Sequence, residues 1–183
     1  VTATHSRPRG AYDGIRAERL SFAAERAALE VLDVTDGEAV TDLARRARPA
    51  LWVHHAGHAA DYASPDYDAS AGAAINVRPL DAIFTAAAET GGGVIVTGSS
   101  AEYASSDVAN REDDAGRPET PYGVSKLAET ERARTLSHIT GVPARVGRLY
   151  IPFGRLDHPA KLLAQVMTGL RASTPIDLSP CTQ

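Results

Sequence analysis

The sequence has 183 residues, 43% of them hydrophobic and 23% charged, a length that ordinary domain sizes assign to one domain with a sizeable core. Nineteen Lys and Arg against twenty-three Asp and Glu leave a formal net charge of -4, so no overall basic field draws in nucleic acid or an anionic membrane. Cys181 is the single cysteine and no apolar run approaches the roughly 20 residues that cross a bilayer, so the expectation is a soluble, cytoplasmic protein without disulfides.

Short β-rich runs alternate with Ala-, Leu- and Arg-rich stretches, the pattern of a doubly wound parallel sheet with crossover helices, an α/β fold class. Strands are predicted at residues 1–6, 30–34, 51–56, 93–98 and 143–149. A crossover helix is predicted over 36–46, with Asp36 at its N-cap, Val40, Leu43 and Ala44 on one face, and Arg45, Arg46 and Arg48 where the helix dipole favours cations. Residues 70–90 place Ala74, Val77, Leu80, Ile83, Phe84 and Ala87 at helical spacing until Gly91-Gly92-Gly93 stops the run. The polar stretch 105–119 reads as a surface loop. A last helix is predicted from about Tyr122 to His138, ending at Gly141-Val142-Pro143.

The chemistry centres on Tyr122-Gly123-Val124-Ser125-Lys126, which sets a phenol and an ammonium four residues apart on one helix face. A free tyrosine has a pKa of about 10, and a neighbouring cation lowers it towards the range in which it can shuttle protons. Such pairs also arise on solvated helices without any role. The context adds weight: the apolar strand Val94-Ile95-Val96-Thr97-Gly98 runs into Ser99-Ser100, at the carboxyl edge where open α/β sheets bind ligands. Serines there also serve as turn or cap residues. His54, His55 and His58 are not expected to share a metal, because successive strand residues point to opposite faces; they and Trp52 are expected to pack.

Three strings in order, Thr97-Gly98-Ser99-Ser100-Ala101-Glu102-Tyr103, Pro121-Tyr122-Gly123-Val124-Ser125-Lys126 and Arg148-Leu149-Tyr150-Ile151-Pro152-Phe153-Gly154, resemble those of the extended short-chain dehydrogenase/reductases. These are NAD(P)-dependent sugar-nucleotide epimerases, dehydratases and reductases. The resemblance covers nearly the whole chain and takes in Asp33-Val34, which looks like the acidic-aliphatic pair beside the adenine, Ala56-Gly57 after the next strand, and Asn76. It implies a Rossmann-like cofactor domain over 1–154 and the start of a smaller substrate-binding region over 155–183. It also implies that Tyr122 is the general acid/base and that Lys126 lowers its pKa and holds the nicotinamide ribose. Ser99 would bond the reacting oxygen; it is preferred to Ser100 because the family's hydroxyl lies four residues before the strand-end tyrosine, here Tyr103. Arg7, Asp33, Val34, Ala56, Gly57, Asn76, Thr97 and Lys126 would meet the cofactor, and Ser99, Ser100 and Ala101 the substrate. A homodimer paired through the tyrosine helix is implied as well.

The sequence departs from the family in four places. No G-x-x-G-x-x-G phosphate turn is present, and Gly10 and Gly14 do not supply one. Residues 1–7 resemble the family's second strand and 174–183 the segment before its substrate-domain motif, so the fold is expected to be incomplete at both ends. Arg7 can clamp a 2′-phosphate in fork geometry, which points to NADP with NAD possible, although Arg9 and Arg16 nearby fit an ordinary basic surface. Ala101 stands where the family's dehydratases carry an acid, which disfavours elimination, and Ile151 stands where an asparagine is usual, which weakens contacts to a nucleotide diphosphate. The reading is an NAD(P)-dependent ketoreductase of a sugar nucleotide. The alternatives are an epimerase with tightly held NAD and a non-catalytic dinucleotide-binding protein.

Overall fold

The computed structural model describes residues 1–176. In chain order the elements are β1 (Thr2–His5), α1 (Gly14–Ala24), β2 (Ala28–Val31), α2 (Gly37–Ala47), β3 (Leu51–His54) and α3 (Ala69–Gly72), which runs through the π-helical turn Ala73–Val77 into α4 (Pro79–Thr90). Then follow β4 (Gly93–Ser99), a 3-10 turn (Ser100–Glu102), α5 (Pro121–Thr140), β5 (Ala144–Leu149) and α6 (Leu162–Ala172). The chain divides into two compact units, 31–150 and Val1–Glu30 together with the chain from Ile151 on. The first strand is thus grouped with the C-terminal segment, whereas the sequence assigned it to a domain over 1–154.

In the larger unit β3, β4 and β5 form a parallel sheet in that order, with Trp52 beside Val94 beside Ala144, and His54 beside Val96 beside Val146. Val94 and Val96 face Leu80, Ile83 and Phe84 of α4 and Ala133 and Leu136 of α5, and this cluster is the core. Burial of each large side chain there contributes roughly 1.5–3 kcal/mol. Trp52 packs against the same cluster. The strand residues that point the other way, Leu51 and Val53, are half exposed.

Local chemistry sets the helix ends. Asp36 accepts the N–H groups of Glu38 and Ala39 and so starts α2, which buries Val40, Leu43 and Ala44. Thr120 accepts the N–H of Gly123 to start α5, Pro121 occupies the first turn, and Gly141, at a φ of 73°, ends it.

Two predicted elements shift and two were not foreseen. The strand expected at 30–34 lies at Ala28–Val31, because the Asp33 carboxylate folds back on the N–H and O–H of Thr35 and makes a turn there. The helix expected over 70–90 is interrupted by the π-turn that carries Asn76. Helices α1 and α6 lacked a sequence signal: α1 buries no residue and its flanking Asp13 makes no side-chain cap. The strands form two sheets, β1-β2 and β3-β4-β5, where the sequence pattern reads as one. Cys181 and most of the segment compared with the family's substrate-domain approach lie outside the described residues. Among the described residues no helix is long and apolar enough to cross a membrane.

Candidate active site

The site is built where β4 ends. The Ser99 hydroxyl accepts the N–H of Ala101 at 3.2 Å, and the Glu102 carboxylate accepts the N–H of Ser99 at 2.8 Å, a reciprocal capping box. Glycine at 98 permits this, since a Cβ there would lie 2.6 Å from the Glu102 oxygen. The second Glu102 oxygen accepts from Thr130 of α5 at 2.9 Å and from the Arg148 guanidinium of β5 at 2.7 Å, and Arg148 continues to the Tyr103 hydroxyl at 2.5 Å. A fully buried carboxylate is thereby paired and bonded on both oxygens, and it braces β4, α5 and β5 together at the strand end.

Helix α5 begins directly on this turn. A Cβ at Gly123 would lie 2.1 Å from the Ala101 carbonyl oxygen, so only glycine lets the helix sit close enough to bring Tyr122 to Ser99. The Tyr122 ring is half-buried and meets Tyr62 and Tyr67 edge-on, with centroids 5.8 and 5.7 Å away. Burial pushes its phenol above the ordinary tyrosine value; Ser99 pulls it down, while Glu129, Tyr67 and Glu102 add to the rise. Ser99, having accepted one N–H, keeps its own O–H to donate.

Lys126 lies one turn on, but its ammonium is turned to the sheet. It donates to the Thr97 carbonyl at 2.7 Å and to the Glu129 carboxylate, and the residue is buried. The lowering of the phenol expected from Lys126 is accordingly not what this arrangement produces, because Glu129 neutralises the cation. Two of the three ammonium hydrogens are used by these partners. Its neighbour Ser125 accepts from the Asn76 amide at 2.9 Å, and the Asn76 oxygen accepts the His58 N–H at 2.8 Å. Tyr67 donates to the His58 carbonyl at 3.1 Å and lies 3.4 Å from Ser125.

The residues assigned to the cofactor from sequence divide accordingly. Lys126 and Thr97 join Ser99 and Tyr122 at the β4 end, and the Thr97 hydroxyl also meets His55 Nδ1 at 3.0 Å. Asn76 is fully buried, and its amide is used to fix the loop after β3 to α5. Val34 packs on the core, and the exposed Asp33 is held below the usual carboxylate range by its bonds to Thr35. Ala56 and Gly57 follow β3, with room for a Cβ at Gly57, 3.8 Å from the Asn76 oxygen. Arg7 is exposed in the smaller unit and stacks on Tyr12 at 5.1 Å. Ser100 and Ala101 form the half-buried 3-10 turn. Of these, Lys126 and Thr97, beside Ser99 and Tyr122, have the donor and acceptor chemistry that the nicotinamide-ribose end of a dinucleotide would need. A groove of about 790 Å³ between α5 and β5 contains Arg134, Arg145 and Arg148 but neither Tyr122 nor Ser99.

Sequence reasoning missed Glu102, Tyr67, Arg148 and Glu129. Ser99-Ser100-Ala101-Glu102 has the spacing of a capping box, and Glu129 lies three residues beyond Lys126 on the same helix face. His54 was assigned to packing, and the structure buries it against Glu129.

Solved structures share the fold, three of them as follows. A dTDP-glucose 4,6-dehydratase, DesIV from Streptomyces venezuelae, determined with NAD bound, matches with a TM-score of 0.70 and 20% identity over 94% of this chain and 52% of its own. The UDP-glucuronic acid 4-epimerase from Bacillus cereus in complex with NAD matches with a TM-score of 0.72 and 16% identity over 88% of this chain and 52% of its own. The enzyme WbmG from Bordetella bronchiseptica in complex with NAD matches with a TM-score of 0.65 and 23% identity over 82% and 46%. The chain thus spans about half the length of these structures, and its architecture is theirs, Rossmann-like α/β with a parallel sheet. No match is found among curated proteins. The model of one family, described as NAD dependent epimerase/dehydratase, matches residues 3–179. The chain belongs to the NAD dependent epimerase/dehydratase family.

Proposed function

We propose that this chain carries the proton-transfer half of an NAD(P)-dependent oxidoreductase of a nucleotide-activated sugar, and that its reaction is reduction of a keto-sugar with Tyr122 as general acid. The observation that carries this reading is the Tyr122 phenol brought beside Ser99 at the carboxyl end of β4. A bound nicotinamide dinucleotide would supply the hydride for the carbonyl carbon. The Ser99 O–H donates to the carbonyl oxygen, Tyr122 delivers its proton there, and the remaining Lys126 hydrogen holds a ribose hydroxyl. Ala101 beside Ser99 supports reduction against elimination. Arg7 supports NADP, and the NAD in the matched structures supports NAD.

Epimerisation with retained cofactor is the second reading, supported by the NAD-bound 4-epimerase among the matched structures. It requires that the purified full-length protein carry its dinucleotide and turn over without any added. The first reading is tested by supplying the full-length protein with NADPH or NADH and keto-sugar nucleotides. Tyr122→Phe is expected to lower kcat by roughly 10²- to 10⁴-fold with unchanged thermal unfolding. A variant as fast as the native protein overturns the assignment of the acid.

A further inference from the structure

Behind Lys126 the structure buries two polar atoms that lack a hydrogen-bond partner among the described residues, His54 Nε2 and Glu129 Oε1, 3.7 Å apart. Both side chains are 1% exposed, so water does not reach them to make up the deficit. The two atoms stand just beyond hydrogen-bond distance; with the ring proton of His54 on Nδ1 both are acceptors, and one proton on Glu129 would join them.

We infer that Glu129 is a positioning residue whose protonation decides where Lys126 acts: ionised, it keeps the ammonium against the Thr97 carbonyl; neutral and turned to His54 Nε2, it frees the ammonium towards Tyr122. The inference rests on the reading of Tyr122 as the acid. The groups that face Glu129 are Lys126 and, through the field, Tyr122 on α5, His54 at the end of β3 with His55 beside it, and Glu102 on the turn after β4. Burial, with a contribution from Glu102, pushes the Glu129 carboxyl up to about 7 against the pull of Lys126, so the change falls in the neutral range. Burial first and the Lys126 charge second push His54 down to about 4, so its ring stays neutral throughout. Below the Glu129 midpoint the phenol of Tyr122 loses a negative neighbour and gains a cation, and both changes lower it.

The sequence contains two lysines, Lys126 and Lys161, so the Nζ resonance of Lys126 can be followed directly by 15N NMR of the full chain, with Lys161→Arg to assign it. The expected result is a step in the Lys126 resonance with a midpoint near pH 7 that disappears in Glu129→Gln and returns, at a shifted midpoint, in Glu129→Asp. A native chain with no step near neutrality overturns the inference, as does a step that survives Glu129→Gln. In addition, the Tyr122 phenol, read by ultraviolet titration as the difference from Tyr122→Phe, is expected to ionise about tenfold more readily once Glu129 is glutamine; an unchanged titration contradicts the coupling. The native-chain titration decides the matter even if Glu129→Gln fails to fold. It is also independent of catalysis, so an active Tyr122→Phe would remove the reading of the acid and leave the lysine step standing, and a missing step would do the reverse.

Discussion

Gly123→Ala is expected to lower kcat by about 100-fold and to destabilise the protein by about 3 kcal/mol, although helix propensity alone argues for a gain of about 1 kcal/mol. The added Cβ would lie 2.1 Å from the Ala101 carbonyl oxygen and 3.0 Å from the Pro118 Cβ. The first of these is backbone in a turn that Ser99 and Glu102 cap from both sides, so it does not yield as a flexible side chain would. Helix α5 has to move outward by roughly an ångström to restore a normal contact, and Tyr122 at its first turn moves with it. Displacement of an acid by this much is the origin of the kinetic loss. Urea denaturation and steady-state kinetics of the full-length protein read the two effects. A variant with native stability and rate would show that α5 is not seated on the turn.

Arg148→Met is expected to cost about 3–5 kcal/mol, the usual penalty for removing one partner of a buried ion pair. Glu102 is fully buried and Arg148 is 10% exposed at its side chain, so the carboxylate would be left with the Ser99 N–H and the Thr130 hydroxyl and no counter-charge. Methionine roughly keeps the volume, so the loss measures charge and hydrogen bonding rather than a cavity. Because Glu102 also holds the Ser99 N–H, the activity of whatever fraction stays folded should fall too. A loss below about 1 kcal/mol in chemical denaturation would mean that the brace between β4, α5 and β5 carries little of the fold's stability.

What could be read in advance follows from how local each signal is. The helix that carries Tyr122 and Lys126 was legible because its stop, Gly141-Val142-Pro143, is local to the chain. Ser99 was legible by position at the strand end, and the structure shows the cap that was its alternative use, which leaves the O–H available. Lys126 was legible as a residue and not as an environment. Its ammonium is claimed by Glu129, three residues on, and whether a carboxylate on a helix is solvated or buried depends on what packs over it, here His54 from β3. Asn76 was expected to meet the cofactor because it matches an asparagine of the family; the structure shows its amide bonded to His58 and Ser125, contacts made by residues far along the chain. Asp33 misplaced β2, as a side chain that bonds two residues along its own backbone competes with the strand.

The most direct test of the central claim follows the hydride and the proton together. The full-length protein is supplied with a keto-sugar nucleotide and NADPH or NADH deuterated at the transferable position, and the sugar product is examined by mass spectrometry. The expected result is one deuterium bound to carbon in the product of the native protein, and formation of that product slowed roughly 10²- to 10⁴-fold in Tyr122→Phe. Product without deuterium, or deuterated product at the native rate from Tyr122→Phe, would contradict it.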